Sequence, residues 1–205
     1  MRWLVMSVAL SGVVSLSGIA RGDGGEWRIG AGGGVTVMDA RAGGAGGTGV
    51  GYGAHGRLGY GLSNTFELGL VGGYSHASDI SFEGAALEGQ SGKLFADLST
   101  ASIGAELRWT PGVWLARAFE RTGPYIAARA GASLVIRTSQ QLFTESSLLL
   151  VAPSDDLHLA PFAGAALGVE HRLGDHLFVA AELGGVATPE SRDVALTLEV
   201  AWSWY

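Results

Sequence analysis

The chain has 205 residues, of which 47% are hydrophobic and 16% are charged, and its formal net charge is −6. This length suits one domain, and the negative charge argues against nucleic acid as a partner. The 34 glycines disfavour a mainly helical fold, and the absence of cysteine excludes disulfides, thiol catalysis and zinc–thiolate sites.

Residues 1–20 predict a signal peptide, since Arg2 supplies a positive charge and an apolar stretch rich in small residues follows. Gly18-Ile19-Ala20 has the small-x-small form of a cleavage site, and a second candidate site ends at Gly22. An anchoring transmembrane helix is the alternative interpretation. No later stretch approaches ~18 consecutive apolar residues, so we expect an exported domain over residues 23–205 without a membrane-spanning helix.

The rest of the sequence contains eight runs in which apolar residues alternate with small or polar ones. They cover 27–38, 50–62, 65–76, 98–109, 124–136, 157–172, 177–187 and 194–205. Each run is long enough for a tilted transmembrane strand, which needs roughly 9–11 residues. Long connections alternate with short turns, as in outer-membrane barrels. The sequence therefore predicts an all-β fold, an eight-stranded antiparallel up-and-down transmembrane β-barrel; a secreted β-sandwich or soluble barrel is the alternative.

The connection at 110–123 falls on the side of the short turns, but it is longer than a short turn. At helical spacing Trp114, Leu115, Ala118 and Phe119 share one face, opposite the charged side chains. This pattern favours a short helix at the membrane interface, and an extended loop is the alternative.

Period-two alternation turns one face of each strand to lipid and the other to the lumen. With this assignment no Asp, Glu, Lys or Arg faces lipid, although Asp97 would do so if the fourth run began one residue earlier. Arginines and glutamates in equal number face inward, and Arg–carboxylate pairing is expected among them. This predicted lumen charge network comprises Arg28, Arg57, Glu67, Glu106, Arg108, Arg129, Glu170, Arg172, Glu182 and Glu199. Because an eight-stranded barrel is just wide enough to hold side chains, we expect a plugged lumen.

Aromatic residues lie where several predicted strands leave the bilayer, as is typical of interfacial belts. The predicted interfacial set is Trp27, Tyr60, Phe66, Trp109, Trp202, Trp204 and Tyr205. Tyr205 is out of phase by one residue with the outward series that precedes it. Either Tyr205 overhangs the last strand or Trp204 serves as the terminal aromatic residue.

Three stretches, Gly123–Gly131, 164–185 and the aromatic WSWY at 202–205, resemble the OmpA-like small eight-stranded outer-membrane β-barrel family of Gram-negative bacteria. The resemblance covers the whole mature chain. It implies insertion by the outer-membrane assembly machinery and residence among outer-membrane lipids and lipopolysaccharide. We expect a monomer.

One short motif suggests chemistry. His76-Ala77-Ser78 is a His-x-Ser sequence, and Glu88 in the following loop could orient the histidine, as in a hydrolase. The motif resembles the His-x-Ser of outer-membrane lipid A deacylases, which carry it near the C-terminal end rather than early in the chain. The alternative is a solvated loop edge.

Other chemical signals are absent from the sequence. The five histidines form no HxxxH or HxH pair, so no metal site is expected, and His55 and His158 fall on inward faces. The glycine-rich stretch 44–53 lacks the GK[ST] ending of a phosphate-binding loop. No cofactor is expected.

These observations predict a non-enzymatic barrel that acts in membrane structure or in surface recognition through its outer loops. A small-solute channel and a lipid-modifying hydrolase using His76 and Ser78 are the alternatives.

An acidic rim could bridge to lipopolysaccharide phosphates through divalent cations, or it could simply be solvated. The predicted loops carry four bases, Arg41, Lys93, Arg137 and Arg192, and ten acids, Asp39, Asp79, Glu83, Glu88, Asp97, Glu145, Asp155, Asp156, Glu190 and Asp193. The apolar stretch at 148–151 is either a strand extension or a contact site.

Overall fold

The computed structural model describes residues 25–42, 44–63, 65–87, 90–111, 121–144, 149–151 and 156–205. The predicted signal peptide and most of the predicted interfacial helix lie outside the described residues. Within the described part of the chain, no helix is long and apolar enough to cross a membrane.

The described chain folds into nine β-strands. They are β1 (Trp27–Ala42), β2 (Ala45–Gly61), β3 (Phe66–Leu87), β4 (Gln90–Trp109), β5 (Thr122–Thr144), β6 (Leu149–Val151), β7 (Asp156–Arg172), β8 (Leu177–Ala187) and β9 (Ser191–Trp204). Alternating side chains and β-branched or aromatic residues suit a pleated wall that is buried on one face.

Eight of these strands close into an antiparallel ring, which confirms the predicted fold. Each strand pairs with the next along the wall, and β1 closes the ring by pairing with both β2 and β9. At the closure Trp27 lies opposite Tyr60 on one side and Trp204 on the other. The short β6 pairs with Gln141–Phe143 of β5, beyond the part of β5 that pairs with β7. We call the end with Trp27 and Trp204 the terminal end and the opposite end the outer end.

The strands extend much further toward the outer end than the sequence predicts. The β1–β2 and β3–β4 pairings continue to Ala42–Ala45 and Leu87–Gln90, so most of the predicted first and second long loops are hairpin. Most of the charged residues assigned to outer loops therefore lie on strands. Likewise, Leu149–Val151 forms β6, and the glycine-rich stretch 44–53 belongs largely to β2.

Bulges explain why the sequence does not predict the extension of β3 and β4. The register shifts between Ala77 and Ile80 of β3, and again between Phe95 and Asp97 of β4. A bulge inserts an extra residue and breaks the period-two alternation by which strands are recognised in a sequence. Asp79, at φ 54°, lies in the first bulge, and its backbone N–H donates to Asp97 Oδ1 at 2.9 Å.

Candidate functional site

The barrel lumen is the candidate site, because it gathers most of the buried charged side chains. Inward positions along β4, from the outer end, are Leu98, Thr100, Ser102, Gly104, Glu106 and Arg108. On β5 the inward series runs from Val135, opposite Thr100, through Ser133, Gly131, Arg129 and Ala127 to Tyr125. The interior is therefore layered, with apolar side chains near the outer end, small and hydroxylated ones in the middle, and ions toward the terminal end.

Arg57 of β2 lies at the centre of the ionic layer. Its Nη1 donates to Glu67 Oε1 at 2.8 Å and to Glu106 Oε1 at 3.1 Å, and its Nε donates to Glu199 Oε1 at 2.8 Å. These carboxylates come from three different strands. Hydrogen-bonded ion pairs of this kind offset the cost of burying a guanidinium.

Arg129 holds the opposite wall of the same layer. Its Nε donates to Glu106 Oε2 at 2.6 Å, while Nη1 and Nη2 each lie 2.8 Å from an oxygen of Glu182. This two-pronged contact matches the planar guanidinium to the planar carboxylate. Glu106 thus joins Arg129 to Arg57.

Arg28 and Arg108 extend the layer toward the terminal end. Arg28 Nη1 donates to Glu170 Oε2 at 2.8 Å, and Arg108 Nη1 donates to the same oxygen at 3.2 Å. Each guanidinium also covers an aromatic ring: Arg28 lies 4.2 Å from the Phe178 centroid and Arg108 lies 3.9 Å from the Tyr125 centroid. Such cation–π contacts suit Arg in a desolvated site.

Arg172 does not join the carboxylates. It points inward near the terminal end, where its Nε donates to the Gly174 carbonyl at 2.8 Å and its Nη2 donates to the Asp175 carbonyl. The residue therefore holds the β7–β8 turn, whose two carbonyls lie two and three positions further along the chain. The structure brings the other nine predicted residues into one contiguous network.

Three further side chains belong to this layer. Tyr125 donates its hydroxyl to Glu182 Oε2 at 2.9 Å, His55 Nε2 lies 3.0 Å from Glu199 Oε2, and Glu26 lies 3.9 Å from Arg28. Parity places Tyr125 and His55 inward, but it does not reveal their partners. Glu26 precedes the first alternating run, so no signal in that run identifies it.

Glycines make room for the ionic side chains. A Cβ on Gly30 would lie 2.7 Å from Glu199 Oε1, and one on Gly168 would lie 2.5 Å from the Tyr125 ring. A Cβ on Gly59 would collide with the Glu67 carboxylate. The inward glycines are thus part of the network's packing.

A cluster of buried apolar side chains lies toward the outer end of the barrel. It consists of buried side chains from β1, β3, β4 and β5, and we call it the outer cap. Its members are Met38, Ala40, Ala42, Ala77, Ile80, Phe82, Ala85, Leu94, Ala96, Leu98, Val135 and Leu142. The hairpin extensions supply most of this cap.

A second charged cluster lies at the rim, where β8 and β9 turn. Arg137 of β5 donates to Glu190 Oε2 at 2.6 Å and also to Asp156. His158 Nε2 lies 3.0 Å from Glu190 Oε1. The residue lies opposite the inward Val135, on the face that its parity predicts, but its side chain is 56% exposed. The reason is that β8 ends opposite Ala163, which leaves the outer part of β7 without a neighbour on that side.

The hydrolase motif does not assemble among the described side chains. His76 Nδ1 lies 2.9 Å from Ser99 Oγ on β4, and its ring lies 5.4 Å from that of Tyr52. Ser78 is exposed in the bulge, and the Glu88 side chain lies outside the described residues. No group of three or more metal-ligating His, Asp or Glu side chains occurs in the described part of the chain.

Comparison with solved structures identifies the fold. The crystal structure of neisserial surface protein A matches with a TM-score of 0.55 and 15% identity, over 87% of this chain and 98% of that one. Outer membrane protein OprG from Pseudomonas aeruginosa matches with a TM-score of 0.49 and 14% identity, over 90% of this chain and 98% of that one. The attachment invasion locus protein Ail of Yersinia pestis matches with a TM-score of 0.48 and 11% identity, over 88% of this chain and 99% of that one. The fold is that of a small outer-membrane β-barrel. The resemblance seen in the sequence is confirmed at the level of the fold. No protein-family model matches the sequence, and no curated protein matches it.

The outer wall of the barrel is apolar over a continuous band. On β9 the outward residues Val194, Leu196, Leu198 and Val200 are exposed, with Leu198 at 70%. Bulky apolar side chains that are exposed on the outside of a barrel are suited to contact with the hydrocarbon of a bilayer.

The seven predicted interfacial aromatic residues are all exposed, and those on strands lie near the terminal end. Exposed fractions range from 37% for Tyr60 to 71% for Tyr205. The Trp27 and Tyr60 rings lie 5.0 Å apart across β1 and β2, and Phe66 lies opposite Trp109. Trp204 is the last residue of β9 and Tyr205 follows the strand, which accounts for the change of phase at Tyr205.

Proposed function

We propose that this protein is an integral outer-membrane barrel that acts through its structure and outer surface rather than by transport or catalysis. One observation carries the proposal: the Arg–Glu network and the outer cap lie one above the other along the barrel, and we infer that together they plug the lumen. Continuous water flow would require both an ion network and an apolar layer to open. What the molecule then offers to partners is its lipid-facing wall and its rim.

The proposal includes the cellular setting. Residues 1–20 would direct export, the assembly machinery would insert the barrel, and the ring would sit in the outer membrane as a monomer. The apolar band and the aromatic residues at the terminal end support contact with lipid. Exposed carboxylates toward the outer end, such as Asp39, Asp79 and Glu83, support contact with lipopolysaccharide phosphates through divalent cations.

Membrane residence is tested by fractionation of expressing cells and by gel mobility of boiled and unboiled protein. We expect the protein in the outer-membrane fraction with a heat-dependent shift. A soluble protein without a shift would contradict the proposal.

Closure of the lumen is tested by single-channel recording of the purified barrel in planar bilayers. We expect no stable conductance above that of the bare bilayer. Discrete, reproducible openings would favour the small-solute channel instead.

The contact of His76 with Ser99 supports a structural role for the histidine rather than catalysis. Hydrolysis of lipid A or of simple esters, lost in Ser78→Ala but kept in Ser81→Ala, would reverse this conclusion. We expect no hydrolysis by the wild-type protein.

A further inference from the structure

A cavity of about 90 Å³ lies between the ionic network and the outer cap. A water site needs roughly 10–15 Å³ on this measure, so the cavity has room for several waters or for a short organic molecule. Its wall combines hydroxyl groups, including those of Thr100, Ser133 and Thr197, with the apolar side chains of Phe162 and Val186. The cavity is therefore amphipathic.

Asp193 supplies a carboxylate to this cavity. Its Oδ2 accepts a hydrogen bond from Thr100 Oγ1 at 3.1 Å, but its Oδ1 is buried without a hydrogen-bond partner among the described residues. The carboxylates of the ionic network, by contrast, each lie within 4.0 Å of an arginine nitrogen. No such ion pair involves Asp193 in the described part of the chain.

Thr197 gives a second, independent observation. The residue is 7% exposed, it lines the cavity, and its Oγ1 has no hydrogen-bond partner among the described residues. A buried polar atom without a partner is costly and needs an explanation. Thr197 lies four residues from Asp193 along β9, roughly 13 Å at the usual rise of a strand, so the two atoms mark different ends of the cavity.

The neighbouring charges leave the cavity negative. Arg129 and Glu182 both line it, but they neutralise each other through their paired contact. His55 lines it as well and is held by Glu199. The charge of Asp193 is therefore the one that a ligand would meet without a cation already bound to it.

We propose that the lumen binds a small primary ammonium compound with a short alkyl body, with Asp193 as its counter-ion. The ammonium group donates to Asp193 Oδ1 and to the hydroxyl oxygen of Thr100, which lies beside that carboxylate, while the alkyl part packs against Phe162 and Val186. A divalent metal fits less well, since Ca²⁺ takes six to eight oxygen ligands and usually several carboxylates. This binding site goes beyond the structural and surface role proposed above.

The test uses the purified, folded barrel in detergent micelles, with n-propylammonium as the probe and 1-propanol as its neutral counterpart. Titration calorimetry or ligand-observed NMR measures both. We expect saturable binding of propylammonium and none of propanol. We expect Asp193→Asn to weaken binding by about tenfold or more, because a hydrogen bond to a charged group is lost.

Asp39→Asn is the matched control, because Asp39 lies at a similar height on the adjacent β1 but points outward. It should bind propylammonium as the wild type does, and the heat-dependent gel shift verifies that each variant is folded. The proposal is overturned if folded wild-type protein does not bind propylammonium, if propanol binds equally well, or if Asp193→Asn binds with unchanged affinity.

Discussion

Arg57 donates a 2.8 Å hydrogen bond to Glu199 over the inner face of β1, although 142 positions separate the two residues in the chain. The contact joins the second strand to the last. It makes the charge network a property of the closed ring rather than of any single hairpin.

Removal of the Arg57 guanidinium should strongly destabilise the barrel. Arg57→Ala leaves three buried carboxylates short of a partner, so we expect a loss of about 3–5 kcal/mol in the free energy of unfolding. Arg172→Ala is the control, since Arg172 donates to turn carbonyls, lies over the Phe178 ring and pairs with no network carboxylate among the described residues, so its loss should cost about 1 kcal/mol. Urea titration of barrels folded in lipid vesicles, followed by gel mobility, measures both. Equal losses would show that the network contributes no more to the free energy of unfolding than the turn contacts of Arg172 do.

A larger side chain at Gly59 should push Glu67 away from Arg57. Gly59→Val is expected to cost about 1–3 kcal/mol through overpacking. Gly56→Val, on the same strand but facing outward with open space around it, should change stability by less than about 0.5 kcal/mol. The same urea titration compares the two variants. A larger cost at Gly56 than at Gly59 would refute the assigned inward and outward faces.

Arginine substitutions on β9 should report depth in the bilayer. Leu198 lies midway along the exposed apolar series, so Leu198→Arg should cost about 2–4 kcal/mol. Val194→Arg, near the outer end of the series, should cost about 0–1 kcal/mol. Stability is again read in lipid vesicles. If the two costs are equal, the band does not lie across the hydrocarbon as assigned.

The rim cluster should hold the β8–β9 turn in place. Glu190→Gln weakens the contact with Arg137, so the free energy of local opening near Ser191 should fall by about 1 kcal/mol. Hydrogen exchange at the turn and at Arg41, whose N–H donates to the Glu190 carbonyl, measures the change. Glu83→Gln is the control, because its pairing with Lys93 is exposed and should matter little. Unchanged exchange in Glu190→Gln would show that the cluster is incidental.

The fold could be predicted because alternation is strict over the part of each strand that crosses the apolar band. The same alternation assigns Arg57 and Glu199 to one face, but it carries no register across the ring, so it could not pair them. Nor could it foresee that Arg172 would turn to nearby carbonyls. Beyond Ala77 and Asp97 the bulges break the phase, and the residues of the outer cap, such as Ile80 and Phe82, could not be assigned to the interior.

The pairing of β1 with β9 also bears on the order of events during folding. Contacts between distant parts of a chain form late and slowly, because the loop entropy must be lost first. The hydrogen bonds of Glu199 to Arg57 and His55 require that same event. An incompletely closed chain would hold guanidinium groups and carboxylates that have not yet met their partners. These pairs therefore form in the same step in which the last strand pairs with the first and the ring closes.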